Sequence, residues 1–313
     1  MAQPSELYVV TRSTKTFKIR SESNPVIGLF RTRDRGQTWE HFGWEAAKCF
    51  SVAVDTSQTP PVWYLACGNG VHKSSDGGKT WAILTGREMT ECLKVAIDRL
   101  HPDTLYVATA YGIFKSVDGG RSWEEKNLGL TSTFTSTVLI DAREPNVLYC
   151  ATEAGIHRSR DGGELWEPAG LLGLAVRTLI QHPSRPEIFL AGTENDGVFV
   201  SHDGGKTWMA RNRGLAHRTV YALAASKSDP DLFLAGTFRG GVYKSTDGGR
   251  TWHPANTNLT NLDIHALAID PTDAGVMYAG TLNDGVWMST DGAKTWRFIG
   301  LETSQVWDMV IYE

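Results

Sequence analysis

The nine residues KSSDGGKTW at 73–81 recur along the chain as KSVDGGRSW at 115–123, RSRDGGELW at 158–166, VSHDGGKTW at 200–208, KSTDGGRTW at 244–252 and MSTDGAKTW at 288–296, with a looser copy, RTRDRGQTW, at 31–39. The closing tryptophans, Trp39, Trp81, Trp123, Trp166, Trp208, Trp252 and Trp296, stand 42 to 44 residues apart. A fixed period of this size marks one supersecondary unit stacked many times over. The repeat runs from end to end, so residues 1–313 are expected to form one domain, although length alone would suggest two.

Within each period lie four short runs of strand character separated by turn residues, which is an all-β pattern. One unit reads CLKVAID (92–98), LYVAT (105–109), GIFKS (112–116) and SWEEK (122–126). Four antiparallel strands in each unit of this length describe the blade of a β-propeller. The chain opens on LYVVT (7–11), which matches a second strand, and ends on VWDMVIY (306–312), which matches a first strand. Pairing of 306–312 with 7–11 completes a seventh four-stranded blade and leaves no orphan edge. The expected fold is therefore a seven-bladed β-propeller.

The repeated aspartate belongs to the turn between the third and outermost strands, where Asp-Gly supports positive φ and the carboxylate accepts backbone N–H groups. A feature present in every unit serves the frame: catalysis would require seven active sites, and a calcium loop would require several carboxylates in each copy. The pattern Ser-x-Asp-x-Gly-x-Thr-Trp resembles the Asp-box, or BNR repeat, of sialidases, xyloglucan-cleaving glycosidases, sortilin-type receptors and photosystem II assembly factors. Thr32, Leu165 and Ala293 depart from it, in place of Ser, Thr and the second Gly. The resemblance implies the propeller fold, whereas its members include enzymes, receptors and scaffolds.

A net charge of −4 offers no footprint for nucleic acid or anionic lipid. No apolar run approaches the ~20 residues of a membrane span, and MAQPSELYVV lacks the features of a secretory signal, so a cytoplasmic protein is expected unless a leader was removed. Cys49, Cys67, Cys92 and Cys150 show no metal-ligand spacing and fall within strand patterns, so reduced, buried thiols are expected, with no metal and no cofactor.

Polar residues present in only one blade are the candidates for function. Near the start of the innermost strands one aligned position reads Phe50, Leu93, Ser136, Arg177, Tyr221, His265 and Trp307, and two residues on it becomes Val52, Val95, Val138, Leu179, Leu223, Leu267 and Met309. Arg177, Tyr221, His265 and Trp307 come from consecutive blades and are expected to line an arc of the channel mouth, on the rim opposite the Asp turns, with Asp308 and Lys94 one step along their strands. Such a cluster can hold an anionic or carbonyl-bearing ligand and move a proton, or it can plug the channel. Loops between second and third strands add Tyr111, Glu153, Glu194, Phe238 and Arg239. Asn195-Asp196-Gly197 recurs as Asn283-Asp284-Gly285, which fits turn formation, and His72 and His157 occupy a position filled elsewhere by aromatic rings, which fits packing.

One loop breaks the pattern. RSTKTFKIRSESNPVI (12–27) alternates Arg12, Lys15, Lys18 and Arg20 with Phe17 and Ile19, as a lid, a docking finger or a tolerated excursion. Three functions are expected to compete. The resemblance implies a glycoside hydrolase-like enzyme acting on a carbohydrate, with Glu153, Glu194 and Asp308 as acids and Trp307 and Tyr221 as sugar platforms. A sialidase-like site would call for an arginine triad with a Tyr and Glu pair, and the Arg-Ile-Pro motif of that group is not found; the xyloglucan enzymes pair two propellers where this chain has one. A lyase or isomerase would use His265 and Tyr221 for proton transfer and Arg177 to hold a carboxylate. A scaffold would engage a protein partner through its ring faces or the 12–27 insertion.

Overall fold

The computed structural model describes residues 5–14, 27–43 and 48–312. These form seven four-stranded sheets, each antiparallel and none joined to another, with 28 strands and no helix among the described residues. Numbering blades from the N-terminus, the innermost strands of blades 2 to 7 are Cys49–Asp55, Cys92–Ile97, Thr135–Ile140, Val176–Gln181, Val220–Ala225 and Ile264–Ile269. Blade 1 is completed by the chain's last strand. Ser304–Tyr312 pairs antiparallel with Glu6–Thr14, with Leu7 opposite Ile311 and Val9 opposite Met309. The closing pair is therefore longer than the apolar stretch at either end of the sequence. Loop residues 15–26 of the insertion lie outside the described residues.

In blades 2 to 7 the second strand is buried along its whole length because it is covered by a sheet on either side. The outermost strands are reduced in most blades to a two-residue bridge. The uniformly apolar ring Val52, Val95, Val138, Leu179, Leu223, Leu267 and Met309 is buried, each residue belonging to a separate apolar cluster between neighbouring blades.

The Asp turns share one hydrogen-bond pattern. In blade 6, Ser245 Oγ donates to Asp247 Oδ1, Gly249 N–H donates back to Ser245 Oγ, and Asp247 accepts the Thr251 amide on Oδ1 and the Thr251 hydroxyl on Oδ2, over distances of 2.6 to 2.9 Å. The same set recurs around Asp34, Asp76, Asp118, Asp203 and Asp291. Leu165 replaces the hydroxyl donor in blade 4, leaving Asp161 the backbone amide at 3.1 Å. Two successive residues take positive φ, as at Gly77 (73°) and Gly78 (86°), which is why glycine prevails there. Ala293 bears the same conformation at φ 64° in the last blade. These turns lie beside the connections from first to second strands: Gly119, Gly204 and Gly248 donate their N–H groups to Asp103, Glu187 and Asp231 carbonyls.

In five blades the tryptophan that closes the turn fastens its blade to the one before. Trp166, Trp208, Trp252 and Trp296 donate indole N–H to the Lys126, Ala169, Arg211 and Ala255 carbonyls of the preceding blade at 2.8 to 3.0 Å. Trp39 donates to Ile299 at 2.7 Å, so the same tie also closes the ring between blades 7 and 1. Trp81 departs from the pattern and bonds Gly78 within its own turn, and the Trp123 indole nitrogen is buried with no partner among the described residues.

These ties lead to a mutational test. Trp252→Phe keeps the buried ring but removes the donor to Arg211, and should cost about 1 kcal/mol, while Trp252→Ala should cost about 3–5 kcal/mol. Trp81→Phe, with no inter-blade bond to lose, should cost less; urea titrations that rank the two Phe variants equally would contradict the assignment. A second test concerns acid. Hydrogen bonds from Thr38, Thr80 and Thr251 help hold Asp34, Asp76 and Asp247 at about 2, below the ordinary 3.8, although burial of Asp247 acts in the other direction. A folded-state pKa below the unfolded one gives a contribution that is whole above about 4 and is lost as pH falls toward about 2. Urea midpoints should decline through that window, and Thr251→Val should make the decline shallower.

Candidate functional site

The mouth opposite the Asp turns is built from the starts of the innermost strands and the loops that follow the second strands. Its largest feature is a run of rings contributed by successive blades. Tyr221 and His265 stack with centroids 4.6 Å apart and planes 21° apart; His265 and Trp307 follow at 4.9 Å and 35°. Phe50 meets Trp307 edge-on at 5.9 Å, and Phe238 meets Tyr221 edge-on at 6.2 Å. Equivalent positions on adjacent strands of a closed ring face a common axis, which is why residues about 43 positions apart in sequence touch here.

Arg12 lies over this run, its guanidinium 4.7 Å from the Trp307 ring centroid and 5.1 Å from that of Phe50. It makes no ion pair among the described residues. Sequence reasoning placed Arg12 in the insertion and did not assign it to the mouth. The signal was present, because Arg12 directly follows Thr11 as Glu153 follows Thr152, Glu194 follows Thr193 and Phe238 follows Thr237. The same register puts Gly68 and Ala110 on blades 2 and 3, so the rim is low on that side.

Arg177 turns away from the rings. It forms ion pairs with Glu194 and with Glu153, the latter at 3.6 Å, and lies 5.9 Å from the Phe134 ring. Asp308 is paired with Lys94 at 2.9 Å, a contact from blade 1 to blade 3 that passes the small, buried Ser51 of blade 2. The acids and cations singled out from the sequence thus meet one another. Arg239 sits over its neighbour Phe238 at 4.8 Å, and its N–H donates to Asp263 Oδ1 at 2.7 Å, fixing the loop at φ 60°. Tyr111 is 58% exposed and stands apart from the ring run.

Burial between Tyr221 and Trp307 lowers His265 to about 4, with the Arg12 charge acting in the same direction and Asp263 opposing it, so the imidazole is neutral at neutral pH. Its Nε2 is buried with no hydrogen-bond partner among the described residues. Burial, and then the Glu194 charge, raise Tyr221, while Arg177 acts in the opposite direction. His72 and His157 are fully buried core residues, with Nε2 bonded to Asn69 and Thr131. Asn283 and Gly285 take positive φ, as the turn reading requires. No group of His, Cys, Asp and Glu suited to a metal ion occurs among the described residues.

The family model for the BNR/Asp-box repeat matches residues 199–209 and 243–254, where the serine–aspartate–threonine pattern described above is complete. Two of the seven repeats are thus matched as Asp-boxes. No curated protein matches this Asp-box chain significantly in sequence. Among solved structures it is similar to the GH74 xyloglucanase from Xanthomonas campestris, with a TM-score of 0.73 and 17% identity over 95% of this chain and 55% of that one. The chain therefore spans about half of that enzyme's length. It is also similar to YCF48 from Cyanidioschyzon merolae, with a TM-score of 0.62 and 19% identity over 82% of this chain and 86% of that one. A YCF48 bound to D1 peptide superposes with a TM-score of 0.61 and 18% identity, covering 80% of this chain and 82% of its own. At these identities the likeness is one of fold. Structures that share this fold thus include a xyloglucanase and a peptide-bound protein.

The imidazole of His265 should titrate near 4 by NMR in the folded protein. A histidine pKa lowered below the ordinary 6.5 makes a stability contribution that is whole above about 6.5 and is lost as pH falls toward about 4. Trp307→Ala, which opens one face of the ring to water, should move the midpoint up toward 6.5; an unchanged midpoint would show that stacking does not set it.

Proposed function

We propose that this Asp-box propeller is a binding module, with no catalytic role for the mouth, that takes an extended segment of a protein partner across the rings of blades 6, 7, 1 and 2. The observation that carries this reading is the continuous run Tyr221–His265–Trp307–Phe50 with the guanidinium of Arg12 lying over its end. Stacked rings offer large, rigid contact area at little entropic cost, and an arginine with no carboxylate partner among the described residues attracts an acidic side chain or chain terminus.

The ion pairs favour binding over hydrolysis. Glycoside cleavage requires two carboxyl groups about 5–9.5 Å apart, one protonated as acid and one available as nucleophile or base. Glu153 and Glu194 instead converge on Arg177, and Asp308 is held by Lys94. A proton-transfer role for His265 has little support in its surroundings, since the ring is neutral, sandwiched and closed at Nε2. The YCF48 bound to D1 peptide lends the peptide reading support from a propeller of similar extent. A carbohydrate ligand is the second reading, favoured by the ring faces as sugar platforms and by the shape shared with the xyloglucanase.

Calorimetry against an arrayed peptide set and a panel of xyloglucan oligosaccharides separates these readings. Peptide binding is expected, without release of reducing sugar. Trp307→Ala, removing a central aromatic anchor, should weaken it by at least about tenfold, which is the order of a hot-spot loss. Glu153→Gln or Glu194→Gln should leave peptide affinity within about threefold, as expected of rim charges. Hydrolysis of a glycan that either glutamine variant abolishes would replace the binding proposal with the enzymatic one.

A further inference from the structure

The repeat serves as its own control for a second feature. In six blades a threonine stands at the same register of the second strand, and the hydroxyls of Thr11, Thr109, Thr152, Thr193, Thr237 and Thr281 each donate to the carbonyl of a glycine at or just before the start of the third strand, at 2.9 to 3.4 Å. Blade 2 alone has cysteine there. The residues paired with these threonines on the innermost strands are Val306, Cys92, Thr135, Val176, Val220 and Ile264, whereas Cys67 is paired with Cys49. Blade 2 thus replaces a hydroxyl tie by two thiols facing each other across an antiparallel pair, with Sγ atoms 3.0 Å apart. Burial as small apolar groups explains either cysteine singly, as it does Cys92 and Cys150. It does not explain their opposition in the one blade that lacks the threonine tie.

We infer that Cys49 and Cys67 form an oxidisable dithiol that closes reversibly to a cross-strand disulfide at the mouth-side end of blade 2. Directly opposed antiparallel residues have Cα atoms about 4.5 or 5.5 Å apart, within the range of about 4.4–6.8 Å that disulfides span. The bond therefore forms without moving either strand. Cys49 is the first residue of its strand and Cys67 the last of the next, so both lie where a sheet opens most readily. The adjoining backbone tie is a single hydrogen bond, Gly68 N–H to the Lys48 carbonyl at 2.8 Å. Both thiols are fully buried, and burial raises Cys67 well above its ordinary range, so thiolate forms during such opening and not in the closed sheet.

With a peroxide as oxidant the chemistry balances. One thiolate attacks a peroxide oxygen, the O–O bond breaks, hydroxide leaves and a sulfenic acid results. The second sulfur then displaces the sulfenic oxygen, which departs as water. Two thiols and one hydrogen peroxide thus give one disulfide and two waters, with two electrons passing from sulfur to oxygen. A small disulfide such as oxidised glutathione achieves the same oxidation by two exchange steps, releasing two thiols.

The whole protein, treated with hydrogen peroxide or with oxidised glutathione, then alkylated in denaturant and digested without reductant, should yield a Cys49–Cys67 cross-linked peptide. Intact mass should fall by two hydrogens, and dithiothreitol should restore it. Closing a loop of this size should raise the melting temperature by roughly 5 °C, reversibly. Cys67→Thr, which installs the residue of the other six blades, should keep the fold while abolishing the cross-link and the reversible shift. Cys49→Val, which installs the residue that blades 5 and 6 carry at that position, provides the same test if the first variant is unstable. Full alkylation of all four cysteines after oxidation, a dominant Cys67–Cys92 cross-link, or a mass loss that persists in both variants would overturn the assignment.

Discussion

In five of its seven blades the ring is held by a hydrogen bond from a tryptophan indole to a carbonyl of the preceding blade. Four-stranded sheets of this size bury both faces only against their neighbours, so blade-to-blade contact must be specified as firmly as pairing within a blade. The Asp turn achieves this by presenting its tryptophan sideways. Ser, Asp and Thr satisfy one another inside the turn, and the two residues of positive φ let the chain reverse without lifting the ring away from the adjoining sheet. Because Trp39 bonds Ile299, the tie between the last and first blades is of the same kind as those of blades 4 to 7, and closure adds only the longer pairing of terminal strands.

A frame fixed by repeated residues frees the unrepeated ones. At the mouth, each blade contributes one position from its innermost strand and one from the loop beyond its second strand, and nothing in the frame requires those positions to match. The seven pairs differ almost completely, running from Gly68 with Phe50 to Glu194 with Arg177. That variation divides the rim into an aromatic side with Arg12 and a charged side where Arg177 joins two glutamates. Blade 2 differs twice, once in a low rim and once in the thiol pair directly beneath it. Phe50, the end of the ring run, is the residue after Cys49, so the proposed oxidation would act on the strand that carries one edge of the proposed binding surface.

Much of this was legible in the sequence because period and alternation are properties of the chain itself. The number of blades, the pairing of the two ends, the turn role of the aspartates, the packing role of His72 and His157 and the buried ring from Val52 to Met309 all follow from counting and from which residue types repeat. The adjacency of Tyr221, His265 and Trp307 followed too, since equivalent positions on neighbouring blades must be close. Arg12 was missed although its register was readable, because it stands at the edge of an insertion and was read with that insertion.

Sequence by itself determined the frame: seven copies of one unit can bury their faces only by stacking, and the last strand matches the innermost strand that the first three strands lack. Only the tertiary structure decided what the singular residues do. Whether Arg177 faces a ligand or two glutamates, whether Lys94 reaches Asp308 past Ser51, whether His265 is open or sealed between rings, and whether Cys49 meets Cys67 or Cys92 depend on side-chain directions at distances of a few ångströms. Charge pairing and ring stacking act over those distances, between residues as far apart in the chain as Lys94 and Asp308 or Phe50 and Trp307, and no local pattern in the chain encodes them.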